Sequence, residues 1–358
     1  MMEIKLPFRI KRSVLALGGQ TKNTACFAKG NTAYVSPTHA DLSDPKDFSQ
    51  FEKSVKYFLK GLPAIIAHDL HPEYQSTKYS QKLPHAASHN SQVQHHHAHI
   101  ASCMAENLLK NQKVIGVAFD GTGLGSDNTL WGAEFLICDY KSFIRAAHLK
   151  EIALIGGEKA ILEPWRLLAA LNLDRPKAIE KKQWQLVKNM QAKAFNAPLA
   201  SSMGRLFDAA AALVLGKYRV GFEAESAIEL EKTAFSFKAQ ATGYKFKILK
   251  NKNTCVIDPA PIFKEIIREI KIKESKTEIA YRFHLTVAEM IRKTCLILRK
   301  KYKVNKVVLS GGVFQNNLIL RLSLDLLYKE GFKVFIHRKL SCNDSGISLG
   351  QAVIAGLR

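Results

Sequence analysis

Three apolar runs of strand length end in glycine, and that recurrence limits what this chain can fold into. They are Val14-Leu15-Ala16-Leu17-Gly18-Gly19, Val114 to Phe119 leading into Asp120-Gly121-Thr122-Gly123-Leu124-Gly125, and Val307-Val308-Leu309-Ser310-Gly311-Gly312. A short apolar run bounded by turn residues reads as a buried strand. Glycine after it lets the backbone approach a ligand closely and aims amide N–H groups at it, as a phosphate cradle requires. Three such turns predict one shared anion site, with contacts from Gly18, Gly19 and Lys22, from Gly121, Thr122 and Gly123, and from Gly311 and Gly312. The first turn continues Gln20-Thr21-Lys22-Asn23-Thr24, adding a cation and hydroxyls. The second runs into Trp131 to Cys138 and reads as a hairpin bent over a ligand. The third opens into a helical stretch, Phe314 to Leu327, whose N-terminus favours negative charge.

No Gly-Lys-Ser or Gly-Lys-Thr follows these turns at Walker spacing, and no Rossmann fingerprint is present. Strand, glycine and hairpin elements in each half, joined by helices, point instead to the duplicated α/β fold of actin, sugar kinases and heat-shock ATPases. There, two lobes clamp a nucleotide. Residues 1–200 are expected to form an N-terminal lobe carrying the histidines below, and 201–358 a second lobe closing the nucleotide cleft, the two making one functional unit. In the middle of the chain Ser202-Met203-Gly204-Arg205-Leu206-Phe207-Asp208-Ala209 begins an Ala-rich helix. Gly204 would allow close approach to a nucleotide, and Asp208 would accept a ribose hydroxyl. The alternative is tight helix packing with an exposed aspartate.

Gln94-His95-His96-His97-Ala98-His99 continues apolar and small through Met104 without proline, so the histidines are expected on a helix. His95 and His99 then lie at i and i+4 on one face, the spacing at which two imidazoles share a metal ion, while His96 and His97 point elsewhere. The ordinary alternative is a polar helix start with satisfied histidines. Further ligands must come from distant sequence. Asp120, at the carboxyl end of a buried strand, and Asp344, in Asn343-Asp344-Ser345-Gly346 before the small-residue helix Ile347 to Leu357, are the candidates. Each also has a structural explanation, Asp-Gly as a hairpin turn and Asp344 as a helix N-cap.

Composition narrows the class. With 358 residues, 47% of them hydrophobic, the chain can bury a large core. Cys26, Cys103, Cys138, Cys255, Cys295 and Cys342 are scattered without a Cys-x-x-Cys pair, which argues against a zinc ribbon or a disulfide framework and for reduced thiols in a cytoplasm. Val14 to Leu17 is too short for a signal peptide's apolar region, and no stretch is long enough to span a membrane. The formal net charge of +22 would steer anionic ligands such as nucleotides. The lysines are dispersed and no stacking platform interleaves with them, so a general electropositive surface is expected rather than dedicated nucleic-acid recognition.

Taken in order along the chain, the motifs resemble one family. They are Leu17-Gly18-Gly19 with Lys22-Asn23-Thr24, His68-Asp69-Leu70-His71-Pro72-Glu73-Tyr74 with Ser76-Thr77, and the histidine cluster. Asp120 to Gly123 follows with Trp131-Gly132 and Glu134, then Ser202 with Gly204 to Asp208, Ser310 to Asn316, and Asn343-Asp344 to Gln351. Together they cover essentially the whole chain and resemble the C-terminal carbamoyltransferase domain of the hydrogenase-maturation HypF family. More distantly they are similar to tRNA threonylcarbamoyl transferases and antibiotic O-carbamoyltransferases.

The resemblance implies a divalent metal, zinc or iron, held by His95, His99, Asp120 and Asp344. It implies carbamoyl-adenylate, or ATP and AMP, bound between the lobes, with Asn316 added to the nucleotide contacts. It also implies transfer of the carbamoyl group to the C-terminal cysteine of a HypE-like partner. Full-length family members also carry an acylphosphatase domain, zinc modules and an adenylate-forming domain that are not read in this chain, so a separate protein or domain is expected to supply the adenylate. The other readings are O-carbamoylation of a small molecule and a non-catalytic nucleotide- or RNA-binding role. Where the family has Gly, this chain has Asn128, Ala133, Ala224 and Ser345, and Phe222-Glu223-Ala224-Glu225 replaces Tyr-Glu-Gly-Gln. Added side chains would narrow a nucleotide cleft, and a carboxylate at Glu225 would repel a phosphate.

Overall fold

Two sheets share one strand plan. The computed structural model describes residues 1–83, 89–237, 239–251 and 253–358. In the first lobe β1 (Met2–Ala16) buries Ile4 and Leu6 in alternation and then Val14, Leu15 and Ala16 without a break, as a strand does when it passes from a sheet edge into a covered centre. After β2 (Thr21–Asn23) comes β3 (Cys26–Val35), antiparallel to β1. β4 (His39–Asp41) pairs with β2 as a small ribbon. Helix α1 (Pro45–Leu59) is started by Asp44, whose carboxylate accepts from the Lys46 and Asp47 amides. It buries Phe51, Val55 and Phe58 in a cluster with Leu15, Leu17 and Ile66. β5 (Ile65–Asp69) lies parallel to β1. Then come α2 (Gln75–Ser80), β6 (His89–Val93), parallel to β5, and α3 (His95–Glu106). The sheet order is β3-β1-β5-β6.

The second lobe begins with β7 (Val114–Leu124), β8 (Leu130–Cys138) and β9 (Phe143–Leu149), an antiparallel meander. β10 (Ile152–Ala153), α4 (Lys159–Leu162), α5 (Trp165–Ala170), α6 (Lys181–Ala192), β11 (Leu199–Ser202), α7 (Met203–Leu215) and α8 (Glu225–Phe235) follow. β12 (Lys247–Lys250), β13 (Cys255–Asp258), α9 (Ala260–Lys271), α10 (Lys276–Tyr302), β14 (Lys306–Ser310), α11 (Asn317–Lys329), β15 (Lys333–Phe335) and α12 (Ile347–Leu357) complete the chain. The sheet runs β12-β13-β9-β8-β7-β14-β15. Its centre, β8-β7-β14-β15, repeats the first sheet's sequence of one antiparallel and two parallel pairings. That repetition is the duplication expected from the glycine turns.

Between the sheets lie α3 and α12. All twelve residues of α3 are buried, and it packs on α12, β1, β7, β8 and β14. The helices approach so closely that a Cβ at Gly350 would stand 1.9 Å from the Ala98 carbonyl oxygen, which explains the small-residue composition of α12. One core joins Val14 and Ile65 of the first sheet to Val114 and Val308 of the second through Ile100, Met104, Leu349 and Val353. The expected division after residue 200 falls inside β11, which pairs with β8, whereas the sheets part between Val93 and Val114 and α12 returns to the first sheet. Composition carries no mark of that boundary because the connecting segment is itself a buried helix. Among the described residues no helix is long and apolar enough to cross a membrane.

Candidate functional site

The histidines start a helix, as their sequence predicts. Gln94 caps α3, its side-chain oxygen accepting from the His97 amide at 2.9 Å. His95 and His99 share a face, and their Nε2 atoms meet two carboxylates. Asp120 Oδ2 lies 3.4 Å from His95 Nε2 and 3.3 Å from His99 Nε2, and Asp344 Oδ1 lies 3.8 and 3.6 Å from the same atoms. His96 and His97 turn away: His97 Nε2 meets the Asp139 carbonyl at 2.6 Å, and His96 packs near Trp131.

Each aspartate is delivered by an irregularity. The β7/β8 ladder slips between Phe119 and Gly123, freeing Asp120 from regular pairing. The hairpin turn falls later, where Gly125 and Thr129 bond, so Asp120-Gly121 is not the turn. After β15 the side chain of Asn343, not of Asp344, accepts from the Ser345 amide, which leaves the Asp344 carboxylate to the histidines.

Burial opposes charge on all four groups, and their mutual attraction overrides it. Asp69, Asp120 and Asp344 hold His95 well above the usual imidazole range, and Asp120 and Asp344 raise His99. The histidines hold Asp120 well below the ordinary carboxylate range and lower Asp344, which the like charge of Asp120 opposes. His95 Nε2 is fully buried with no hydrogen-bond partner, and the four candidate ligand atoms lie within 4.8 Å of one another. Two nitrogens and two anionic oxygens converging on one point, with an orphaned imidazole nitrogen among them, fit a borderline divalent cation.

Asp69, at the end of β5, orients His95: its Oδ2 lies 2.8 Å from Nδ1 while its Oδ1 accepts from the His71 amide at 3.1 Å. Sequence reasoning quoted Asp69 within a motif and gave it no role.

The glycine turns are less free than expected. The Gly18 amide donates to Gln351 Oε1 at 2.8 Å, the Gly311 amide to the Cys342 carbonyl at 2.9 Å, and the Gly312 amide to Asp120 Oδ1 at 3.0 Å. These glycines therefore brace the aspartates and α12 before any phosphate arrives. Gly19 opens beside the cluster, its nearest neighbour for an added Cβ being Asp344 Oδ2 at 3.6 Å. Asn23 and Thr24 are buried and tie the first turn, Asn23 Nδ2 to the Leu17 and Gly19 carbonyls and Thr24 Oγ1 to the Ser345 carbonyl. Lys22 is exposed on β2.

Gly121, Thr122 and Gly204 lie together where the start of α7 packs on β7, a Cβ at Gly204 meeting the Gly121 Cα at 3.2 Å. Gly123 backs directly on His95 and His96. Asp208 is turned inward, accepting from Ser226 Oγ at 2.5 Å and pairing with Arg205 Nε at 3.0 Å, so both oxygens expected for a ribose are engaged inside the protein. Asn316 caps α11 and bonds His284 at 3.1 Å, a structural role.

The departures from the family pattern also resolve. Ala224 and Asn128 hold left-handed backbone, φ 68° and 61°, where glycine is the easier residue. Ala133 is buried in β8, and Ser345 Oγ donates to Asn343 Oδ1. Glu225 accepts from the Gly221 amide at 2.6 Å and pairs with Lys217 at 3.0 Å, so its charge is neutralised locally. Glu134, buried against Arg145 and Ser201, braces β8.

The chain is similar to known proteins over nearly its whole length. Residues 9–106 match the family model described as "HypF Kae1-like domain", and residues 116–351 match "Carbamoyltransferase, Kae1-like Domain, second subdomain". "Carbamoyltransferase HypF" of Synechocystis sp. is 33% identical over 377 residues, covering 97% of this chain and 48% of the relative. "Carbamoyltransferase HypF homolog" of Cupriavidus necator is 34% identical over 369 residues, covering 96% of this chain and 91% of the relative. A crystal structure of full-length HypF in a phosphate- and nucleotide-bound form matches with a TM-score of 0.93 at 40% identity, over 99% of this chain and 57% of that one. The chain spans about half the length of the Synechocystis relative.

Proposed function

Since the chain belongs to the HypF Kae1-like carbamoyltransferase domain family, we propose that it transfers a carbamoyl group from carbamoyl-adenylate to the C-terminal cysteine of a HypE-type acceptor. The reaction would serve nickel-iron hydrogenase maturation. His95, His99, Asp120 and Asp344 would hold a zinc or iron ion, and the convergence of these four groups, three of them buried and Asp344 partly so, is the observation that carries the reading. When bound, the metal supplies Lewis acidity that polarises the carbamoyl oxygen. The residues around it bind and orient: Asp69 fixes the His95 ring, and the Gly312 amide fixes Asp120. The nucleotide would lie along Gly19, Gly121, Thr122, Gly123 and Gly204; that a matching HypF crystal structure is in a nucleotide-bound form supports nucleotide binding as such.

Five of the six thiols are ill suited to carry the group themselves. Burial pushes Cys26, Cys103, Cys138 and Cys295 up, and Cys342 to about 12, so these remain protonated at neutral pH. That favours a nucleophile supplied by the acceptor. With a carbamoyl-adenylate-forming module, ATP and labelled carbamoyl phosphate supplied, the protein should label a HypE tail peptide ending in cysteine with release of AMP, and Asp344→Ala should abolish labelling and lower bound metal. Labelling of a small hydroxylated acceptor with none on the peptide would overturn the acceptor assignment.

A further inference from the structure

His99 has a second partner that nothing in the metal centre accounts for. Its Nδ1 lies 3.3 Å from Ser310 Oγ, at the end of β14. Ser310 Oγ lies 2.8 Å from Nε2 of His337, just beyond β15. His337 Nδ1 makes a close contact with Glu106 Oε1, and Glu106 Oε2 accepts from the Lys339 and Leu340 amides at 2.8 and 3.1 Å. Glu106 ends α3, seven residues and two turns beyond His99, so helix periodicity returns it to the same face. The side chains of His99, Ser310, His337 and Glu106 are nearly or wholly shut from solvent.

We propose that Glu106, His337 and Ser310 form a proton-ordered chain that fixes His99 in the tautomer a metal ligand requires. The inference rests on the reading that His99 Nε2 binds the metal. Glu106 Oε2 faces two N–H donors, so Glu106 must be an accepting carboxylate; burial would raise its pKa, but the His337 hydrogen bond and these amides lower it. His337 Nδ1–H therefore donates to Glu106, leaving Nε2 as an acceptor. Ser310 O–H donates to that nitrogen, so Ser310 Oγ accepts from His99 Nδ1–H. His99 Nδ1 then keeps its proton, and Nε2, beside Asp120 and Asp344, is the nitrogen left to a metal. Buttressing of this kind raises ligand basicity and holds the ring in place. Glu106, His337 and Ser310 are positioning residues, since none reaches the candidate ligand point.

Two other readings of the cluster fail on geometry. Cys103, Glu106 and His337 offer ligand atoms within 4.8 Å of one another, yet Glu106 Oε2 already accepts from two amides, His337 Nδ1 lies in ion-pair contact with Oε1, and burial holds the Cys103 thiol protonated. Ser310, His337 and Glu106 have the order of a hydrolytic triad, but Ser310 is fully buried and faces an imidazole, out of reach of any acyl group.

Glu106→Gln tests the chain because an amide can donate where the carboxylate accepts. Its N–H would take the Nδ1 side of His337, drive the His337 proton to Nε2, turn the Ser310 hydroxyl toward His99 Nδ1 and place the His99 proton on Nε2, where a metal must bind. Zinc titration against a competing chelator should show affinity about 10- to 100-fold weaker. In a Ser310→Ala background, where the link is cut, Glu106→Gln should add almost nothing. Nitrogen-15 histidine NMR of the metal-free protein should show His99 Nδ1 protonated in the parent and unprotonated in Glu106→Gln.

Unchanged zinc affinity, an equal loss in both backgrounds, or a second zinc equivalent removed by Glu106→Gln would overturn the proposal. So would covalent labelling of Ser310 by a fluorophosphonate. Should Glu106→Gln not fold, the parent spectrum decides alone, and a His99 without a proton on Nδ1 refutes the chain. Failure to bind zinc together with the expected tautomer would sink the metal reading and leave the chain standing.

Discussion

His95 and His99 sit one turn apart on the same helix, yet the two lobes support them by different means. The first lobe gives His95 a carboxylate directly, Asp69 at the end of β5. The second lobe gives His99 a hydroxyl, Ser310 at the end of β14, with its charge two residues further back. Since β5 and β14 each lie parallel to the first strand of their sheet, the two supports occupy matching places in the duplicated plan. A charged partner makes the stronger bond and tolerates small shifts. A neutral relay is weaker and depends on every link, so the second lobe's half of the centre should be the easier one to derange.

The severest test of that asymmetry is the glycine beside Ser310. Gly311 has φ 105° and ψ 153°, a region almost closed to other residues, and a Cβ there would stand 2.1 Å from the Phe119 carbonyl oxygen. Gly311→Ala should cost at least about 3 kcal/mol of stability. Gly19→Ala in the first lobe, with no atom nearer than 3.6 Å, should cost within about 0.5 kcal/mol. Denaturant melts giving equal losses would contradict the difference.

Acid should also find the second lobe. Burial pushes His284 of α10 down to about 4, so the folded protein keeps it neutral while the unfolded chain takes up a proton below about 6.5. Its contribution is present above about pH 6.5 and is lost as pH falls toward 4, by up to about 3 kcal/mol. His284→Gln should make the stability profile shallower over that window, leaving the share of His97, which burial likewise pushes down to about 4, and hydrogen exchange at pH 5 should show opening at α10 and α7 in the parent.

Asp69→Asn probes the first lobe's support. An amide has one acceptor for the two donors, His95 Nδ1 and the His71 amide, that Asp69 now serves. Metal affinity should fall about 10- to 100-fold, irrespective of the residue at 310. Dependence on Ser310 would mean that the two supports act as one.

Ala224→Gly should give the smallest effect, a gain of about 1 kcal/mol from relief of left-handed strain at φ 68°. Asn128→Gly at φ 61° should be nearly neutral, since asparagine tolerates that region. Thermal melts separate the two.

What could be read from sequence followed from local spacing. The period of 3.6 put His95 and His99 on one face, and the strand-end and helix-start positions of Asp120 and Asp344 marked them as ligand candidates. Glu106 continues that same face two turns on, so part of the second support was also legible as a carboxylate in register with the histidines. Ser310 and His337 were not, because a parallel pairing between distant strands brings them to α3 and nothing local records it. Asp208 was misread for a related reason: helical position exposes a face, but only the fold shows that Arg205 and Ser226 already occupy it. The place where the two sheets part is not marked in the sequence because α3, which joins them, is wholly buried.

The return of α12 to the first sheet has a consequence for biosynthesis. Gly18 and Gln351 are bonded across 333 positions of sequence, and Thr24 meets Ser348 at 2.6 Å. A ribosome therefore exposes the β1 sheet and its histidine helix long before the segment that covers them is translated. During that interval the nascent chain presents an apolar slab with two unshielded imidazoles, a natural target for holding chaperones and for adventitious metal. Premature termination between Phe335 and Asp344 would leave a polypeptide with its strands and three of the four ligands, but without the helix that makes them a site.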